Sequence, residues 1–432
     1  MYKYFTFFFL ICAPWMFSCE SQLDLYPRSA VSSSADLTEN DIESLLIGVY
    51  NSVQNKPGRE SYITFDLIGG DLINASAVGG GGTNAFISNI LRPEYGIIKN
   101  SWIGYFKALY QVNTLITALP SMPESARKNQ ILGTAHYFRA YLYYQLVTRW
   151  GAVPILKENT QETLPRDSEE SVWAFIEEEL SLAIELAPSF GSDLKGDFYF
   201  VSSEAASALM ARAKLSQGKK DEAATYAESV ITSSLFQLDD FGKIFRKQQN
   251  SEVIFAFENL TMESSINLST LFYTYAHPLN GSYVYKPNTG AMNMYSSGDL
   301  RTSISIDTYE GLDVVNKYPS GQSGTDPLVI TRLAELYLIS AEGQGLSGID
   351  RLNELRNARG LGSVSASSEQ QYLDLILEER RRELFAEGFR WYDLVRTGKA
   401  QEEIGLADRE LLLPIPETEL LLNEKLEQNP GY

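Results

Sequence analysis

The stretch SSEAASALMARAKLSQGKKDEAATYAESVITSS, residues 202–234, limits the fold more than any other part of the sequence. Apolar residues recur every three to four positions on both sides of the polar turn SQGKKD, which predicts two helices joined by a short connection. Alanine stands at 205, 208, 211, 213, 223, 224 and 227, so the two helices can approach closely along a shared face. Ser202 or Ser203 is placed to cap the first helix and Asp221 the second, because each offers a short side-chain oxygen to unpaired backbone N–H groups. With similar patterns on either side, the chain is expected to be mainly α-helical.

Small residues at these spacings around a short turn resemble a tetratricopeptide helix pair, without a strict repeat of ~34 residues. Other segments carry the same period. TENDIESLLIGVYNSV places Ile42, Leu45, Leu46 and Val49 on one stripe, with Thr38 or Asn40 as cap. NSWIGYFKALYQVNTLITAL keeps Trp102, Phe106, Leu109, Val112, Leu115 and Ile116 in phase until Pro120. Runs ending at Gly151 and Pro188 follow, and helix resumes at VITRLAELYLISAE, GIDRLNELRNARGL and YLDLILEERRRELFAEGFRWYDLVRTG. Two inserts interrupt this order. Residues 57–96 are rich in Gly and Asn and read as loop. Residues 236–330 hold little helical period, and SEVIFAFENL within them alternates as a strand does.

Near the N-terminus, Lys3 precedes an apolar run from Phe5 to Phe17, then Ser18 and Cys19. The run is short for a spanning helix, which needs ~20 apolar residues, and has the length of a signal h-region. A small residue directly before Cys is the layout of a bacterial lipoprotein signal, with Cys19 as the lipidation site. Residues 1–18 are then signal peptide and 19–37 a Ser-rich tether. Cys12, the second of two cysteines, lies inside the apolar run. Cleavage before Cys19 leaves a single acylated thiol and no disulfide. With only His136 and His277 as histidines, a Cys- or His-based metal site and a Ser–His–Asp triad are not expected. A net charge of −19 opposes binding to nucleic acid.

Two motifs invite a catalytic or phosphate-binding reading. EERRRELFAEGFRWYDL gathers Arg380, Arg381, Arg382, Glu383 and Asp393, but a helix offers these charges local partners three and four residues away, so the motif reads as scaffold. VGGGGT lacks a following Gly-Lys-Ser/Thr and reads as a loop, not a phosphate cradle. His136 sits in an apolar helix and reads as core; His277 is a candidate for ligand contact.

Several stretches resemble the SusD/RagB nutrient-binding outer-membrane lipoproteins of Gram-negative bacteria: CESQLDLYP, SWIGYFKALYQVNTLI, AHYFRAYLYYQLVTRWGAVPI, ALMARAKLSQGKKDEAATYAESVI, ITRLAELYLISAE, LNELRNARGL, EERRRELFAEGFRWYDLVRTGKA and PIPETELLLNEKLEQNPGY. They stand in the family's order and cover nearly the whole chain. The resemblance implies a mainly α fold, with four tetratricopeptide-like helix pairs as scaffold and a loop-rich ligand-binding part containing a few short strands. It implies no enzymatic activity and no cofactor. It also implies a SusC-like TonB-dependent transporter as partner, capped by the lipoprotein at the exterior face of the outer membrane. The implied cargo is an oligosaccharide, or a peptide as in some members. A secreted glycoside hydrolase and a protein-binding adaptor are the rival readings.

The expected organisation is a scaffold over 38–235 with the insert 57–96, a ligand-binding insert over 236–330, and scaffold plus C-terminal tail over 331–432. Within LFYTYAHPLNGSYVYKPNTGAMNMY, residues 271–295, six of 25 residues are Phe or Tyr, about twice the 12% of the whole chain. Sugars need ring faces for stacking and polar groups for their hydroxyls, and Tyr offers both. The candidate carbohydrate-binding residues are Tyr273, Tyr275, Asn280, Tyr283, Tyr285, Asn288 and Tyr295, together with Tyr62, Asn74, Asn84 and Phe86 of the first insert. Alternation in SYVYK is expected to turn Tyr283 and Tyr285 to one face if the stretch is extended.

Overall fold

The computed structural model describes residues 37–76, 81–192, 197–260 and 266–432. Cys19, the signal segment and the tether up to residue 36 lie outside the described residues. Ten helices of seven residues or more carry the described architecture. They are α1 (Glu39–Asn55), α2 (Gly96–Ala118), α3 (Ala126–Trp150), α4 (Glu169–Leu186), α5 (Ser203–Ser216), α6 (Lys220–Ile231), α7 (Leu333–Gly343), α8 (Ile349–Ala358), α9 (Glu369–Glu383) and α10 (Arg390–Arg396).

Thr38 caps α1 through a reciprocal box with Asp41, which satisfies two backbone donors at once. Ile42, Leu46 and Val49 are buried as their spacing requires. Ser202 caps α5 by accepting from the Ala205 N–H. The expected cap Asp221 instead lies in the first turn of α6, behind Lys219, where its charge still favours the helix N-terminus. Helices pack as successive pairs, α1 with α2, α3 with α4, α5 with α6 and α7 with α8, and α7 also packs on α6. Close approach has a sequence cause at Gly104 of α2, where a Cβ would come within 2.5 Å of Pro57. His136 is a core residue, its Nδ1 2.7 Å from Glu179, which also pairs with Arg139.

Among the described residues, six short strands form three antiparallel pairs: β1 (Leu72–Asn74) with β3 (Tyr285–Pro287), β2 (Val253–Phe257) with β6 (Leu328–Arg332), and β4 (Ile306–Tyr309) with β5 (Leu312–Val315). SEVIFAFENL therefore does contain a strand, buried throughout. VITR, expected to open a helix, pairs with it instead, and its three β-branched residues suit the ladder. The insert 57–96 is not plain loop: it carries short helices at Thr64–Ile68 and Asn84–Ile87 besides β1.

The run from Glu369 to Arg396 is not one helix. It breaks over 384–389, where Ala386 and Gly388 adopt φ of 59° and 84°. Buried Asp66 accepts from the N–H groups of both residues, at 3.2 and 2.7 Å. A side chain at Gly388 would meet the Tyr62 carbonyl at 2.5 Å. The break also redirects the charges. Glu383 accepts from Arg301, Arg332 and Arg359 at 2.8, 2.5 and 2.9 Å, Glu387 pairs with Lys317 and Arg332, and Arg380 pairs with Asp393. Arg382, with Glu378 and Glu379, and Asp393, with Arg396, keep the expected local partners. The motif is scaffold, but its ion pairs join distant segments. Arg332 ends β6, Glu252 precedes β2 and reaches Arg359 at 2.6 Å, and Arg301 comes from the second insert.

The C-terminal tail clasps α3. The Leu413 N–H donates to Arg149 O at 2.7 Å, and Trp150 Nε1 donates to Pro414 O at 3.0 Å. Asn429 donates to the carbonyls of Trp150 and Leu413. Among the described residues, no helix is long and apolar enough to cross a membrane, and no cluster of ligating side chains could hold a metal ion.

Candidate functional site

The two inserts meet. In the β1–β3 ribbon, Leu72 faces Pro287, Ile73 faces Lys286 and Asn74 faces Tyr285. The Thr83 hydroxyl lies 2.6 Å from the Tyr285 hydroxyl. Asn288 donates from Nδ2 to Gly70 O at 2.6 Å and caps a short helix through Oδ1. Arg381 of α9 pairs with Asp71, so the ribbon is tied to the scaffold directly behind it. The N–H groups of Ser282, Tyr283 and Val284 donate to the carbonyls of Thr270, Tyr273 and Leu271, which folds the intervening residues into a projecting loop. Gly281 permits this crossing: a Cβ there would lie 2.2 Å from Tyr273 O.

The expected platform residues divide by burial. Phe86, Tyr273 and Tyr285 are 0–1% exposed. Their rings lie inside the molecule, which corrects the expectation that they offer faces to a ligand. Tyr273 donates to Asn316 Oδ1 at 2.6 Å, and burial raises its pKa. Tyr62, Tyr283 and Tyr295 are half-buried, and each spends its hydroxyl on a backbone carbonyl, of Gln54, Asp313 and Arg382 respectively. Tyr283 and Tyr285 do not share a face, because Tyr283 has φ of 46° and the stretch is not continuously extended. Asn74 donates to Asn84 Oδ1 at 2.6 Å, which leaves the Asn84 amide on an exposed edge. Asn280 is held in place by Gln322, which donates to its carbonyl at 2.6 Å.

Tyr275 differs from all of these, with 82% of its surface exposed at the projecting loop. Beside it in sequence, His277 lies between Tyr273 and Tyr309, with ring centroids 4.5 and 4.6 Å away. Burial lowers the His277 pKa, and its Nδ1 accepts from the Leu279 N–H, so the ring is neutral at pH 7 with Nε2 as its N–H donor. Tyr309 meets the imidazole edge-to-face and donates weakly to Ala276 O at 3.4 Å. The face thus combines one open ring, a neutral imidazole packed edge-to-face with a phenol, and the amides of Asn280 and Gln322. An open groove beside Tyr295 adds the hydroxyls of Ser296, Ser297, Thr302 and Thr308 and the carboxylate of Asp307.

The sequence reading missed Tyr309 and Gln322. The first carried a signal. IDTYEGLDVV alternates around Glu-Gly, and Glu310 and Gly311 have φ of 50° and 80°, the positive pair that a tight hairpin turn requires. Gln322 carried none, since its partner is 42 residues away.

A scaffold of helix pairs bearing a loop-rich face, with one open ring and the amides of Asn280 and Gln322, defines the structural class. Comparison with known proteins gives the family. Residues 22–215 match a SusD-like profile described as starch-binding and associating with the outer membrane, and residues 274–411 match the profile of the SusD family. The chain belongs to the SusD/RagB family. SusD-like protein P38 of Formosa agariphila is 26% identical, over 99% of this chain and 98% of that protein. Among solved structures, NanU of B. fragilis is 25% identical with a TM-score of 0.79, covering 94% of this chain and 99% of that one. A laminarin-binding SusD-like protein has the same fold, with 24% identity, a TM-score of 0.79, and 91% and 100% coverage.

Proposed function

We propose that this protein is a non-catalytic, surface-exposed lipoprotein of the outer membrane. It captures an oligosaccharide on the face formed by the two inserts and delivers it to a SusC-like TonB-dependent transporter. Lipidation at Cys19 anchors it. The observation that carries the reading is Tyr275: a ring this open, beside the edge-to-face His277–Tyr309 pair and the Asn280 and Gln322 amides, matches what a pyranose needs from a protein surface. Family membership and the laminarin-binding relative support a glycan as the ligand class.

A glycan array with the chain from Cys19 onward tests the ligand class, and calorimetry with the best hit tests the site. Tyr275→Ala should cost ~1–3 kcal/mol, by analogy with base–aromatic stacking. That is roughly a ten- to hundredfold loss of affinity. Unchanged affinity would move the site away from this loop. Binding of peptides with no glycan hit would replace the ligand class. Cys19→Ala should release the protein from membranes without acylation.

A further inference from the structure

A crevice of about 60 Å³ lies inside the scaffold, where α2, α3, α5, α10 and the segment 61–65 meet. It has room for a few waters or one small ion. Its wall is aromatic, with Tyr62, Phe65, Tyr105, Tyr141 and Tyr392, yet it also carries Arg149 and Arg380.

Arg149 is 3% exposed. Its guanidinium lies 4.3 Å from the Phe65 ring centroid and 5.3 Å from that of Tyr105. It donates to the carbonyls of Gln145 and Ser61 and to Gln145 Oε1. Among the described residues no carboxylate lies within ion-pair distance of it. Arg139, Arg212, Arg301, Arg332, Arg359 and Arg396 are equally enclosed, and every one of them has a carboxylate at 2.5–2.9 Å. The two carboxylates in the crevice wall are already engaged, Glu387 with Lys317 and Arg332, Asp393 with Arg380 and Arg396. Arg380 itself directs Nε to Asp393 and leaves Nη1 buried without a partner. A buried charge is tolerated when it is paired, so an enclosed guanidinium without a carboxylate beside a cavity calls for a counterion.

We propose that the crevice binds one small monovalent anion, a halide or a formate-sized carboxylate, as the counterion of Arg149. The volume sets the size limit. Guanidinium donors supply the charge, and the enclosing rings exclude competing water. The anion lies behind the inserts, against Ser61 and Phe65, and holds the first insert to α3.

Crystals of the unmodified protein soaked in sodium bromide give a direct test by anomalous scattering. The expected result is a bromide peak within hydrogen-bond reach of Arg149. Ordered water alone in the crevice, or bromide only on the outer surface, overturns the proposal. Melting curves at equal ionic strength in sodium chloride, formate and gluconate provide a second readout. Chloride or formate should raise the melting temperature by about 3 °C over gluconate at a hundred times its Kd. The stronger of the two identifies the occupant, and Arg149→Met should abolish the difference. Equal melting of the unmodified protein in all three salts overturns the proposal.

Discussion

Replacing Glu383 by Gln keeps the volume and removes the charge. The side chain is fully buried and accepts from three guanidinia that are themselves 0–1% exposed. Arg301, Arg332, Arg356, Arg359, Arg382 and Lys317 face Asp299, Glu252, Glu378, Glu379, Glu383 and Glu387 in this lattice. Six cations thus face six carboxylates, and losing Glu383 from its centre leaves one positive charge uncompensated in a dry interior. Breaking such a pair costs about 3–5 kcal/mol. At roughly 2.1 cal/mol/K per residue, a chain of this length unfolds with an entropy near 0.9 kcal/mol/K, so Glu383→Gln should lower the melting temperature by about 3–6 °C. The three arginines hold the Glu383 carboxyl well below its usual range. Its stabilisation is therefore full above the unfolded-state pKa of about 4.3 and is lost as pH falls through the folded value. Calorimetry at pH 7 and at pH 3.5 measures both, and the difference between variant and parent should shrink at the lower pH. A variant that melts within 1 °C of the parent at pH 7 would refute the reasoning, since Arg359 and Arg332 would then be satisfied by Glu252 and Glu387 alone.

Asp326 should behave in the opposite sense. Burial raises its pKa to about 6, so its contribution is present below the unfolded value and is lost as pH rises through 6. Asp326→Asn should accordingly raise the melting temperature by a few degrees at pH 7.5 and leave it unchanged at pH 3.5, as read by differential scanning fluorimetry across pH. Tyr285→Ala removes a buried ring that bonds Thr83 and should cost about 3–5 kcal/mol in chemical denaturation, whereas Tyr275→Ala should leave the denaturation midpoint unchanged. Gly104→Ala should also destabilise, because its Cβ would collide with Pro57 and push α1 from α2.

The helices were legible where local chemistry decides them. Thr38 and Ser202 cap where their positions say, and the Ala-rich hairpin at 203–231 forms as its period requires. Apart from the Asp221 cap and the Glu310–Gly311 turn, the failures share one cause, the partner from elsewhere in the chain. Nothing near Ala386 announces that Asp66 will take its N–H and end a helix, and nothing near Glu383 names Arg301 or Arg332. The binding face shows the same limit. Composition located the aromatic segment, but Tyr273, Tyr275 and Tyr285 are alike in sequence. Only the crossing of 270–273 with 282–284, and Thr83 arriving from the first insert, decide which ring faces out.

The tail clasp on α3 sets an order of events for the growing chain. Leu413, Pro414 and Asn429 satisfy groups at Arg149 and Trp150, more than 260 residues earlier. When α3 leaves the ribosome, the Arg149 carbonyl and the Trp150 indole N–H have no partner, and they keep none until Leu413 and Pro414 have been made, whereas Arg166 reaches the Trp150 carbonyl far sooner. The core around Trp150 is therefore sealed only once the segment from Leu413 onward has emerged. A chain truncated before Leu413 would retain every helix pair and still expose the indole that the tail encloses.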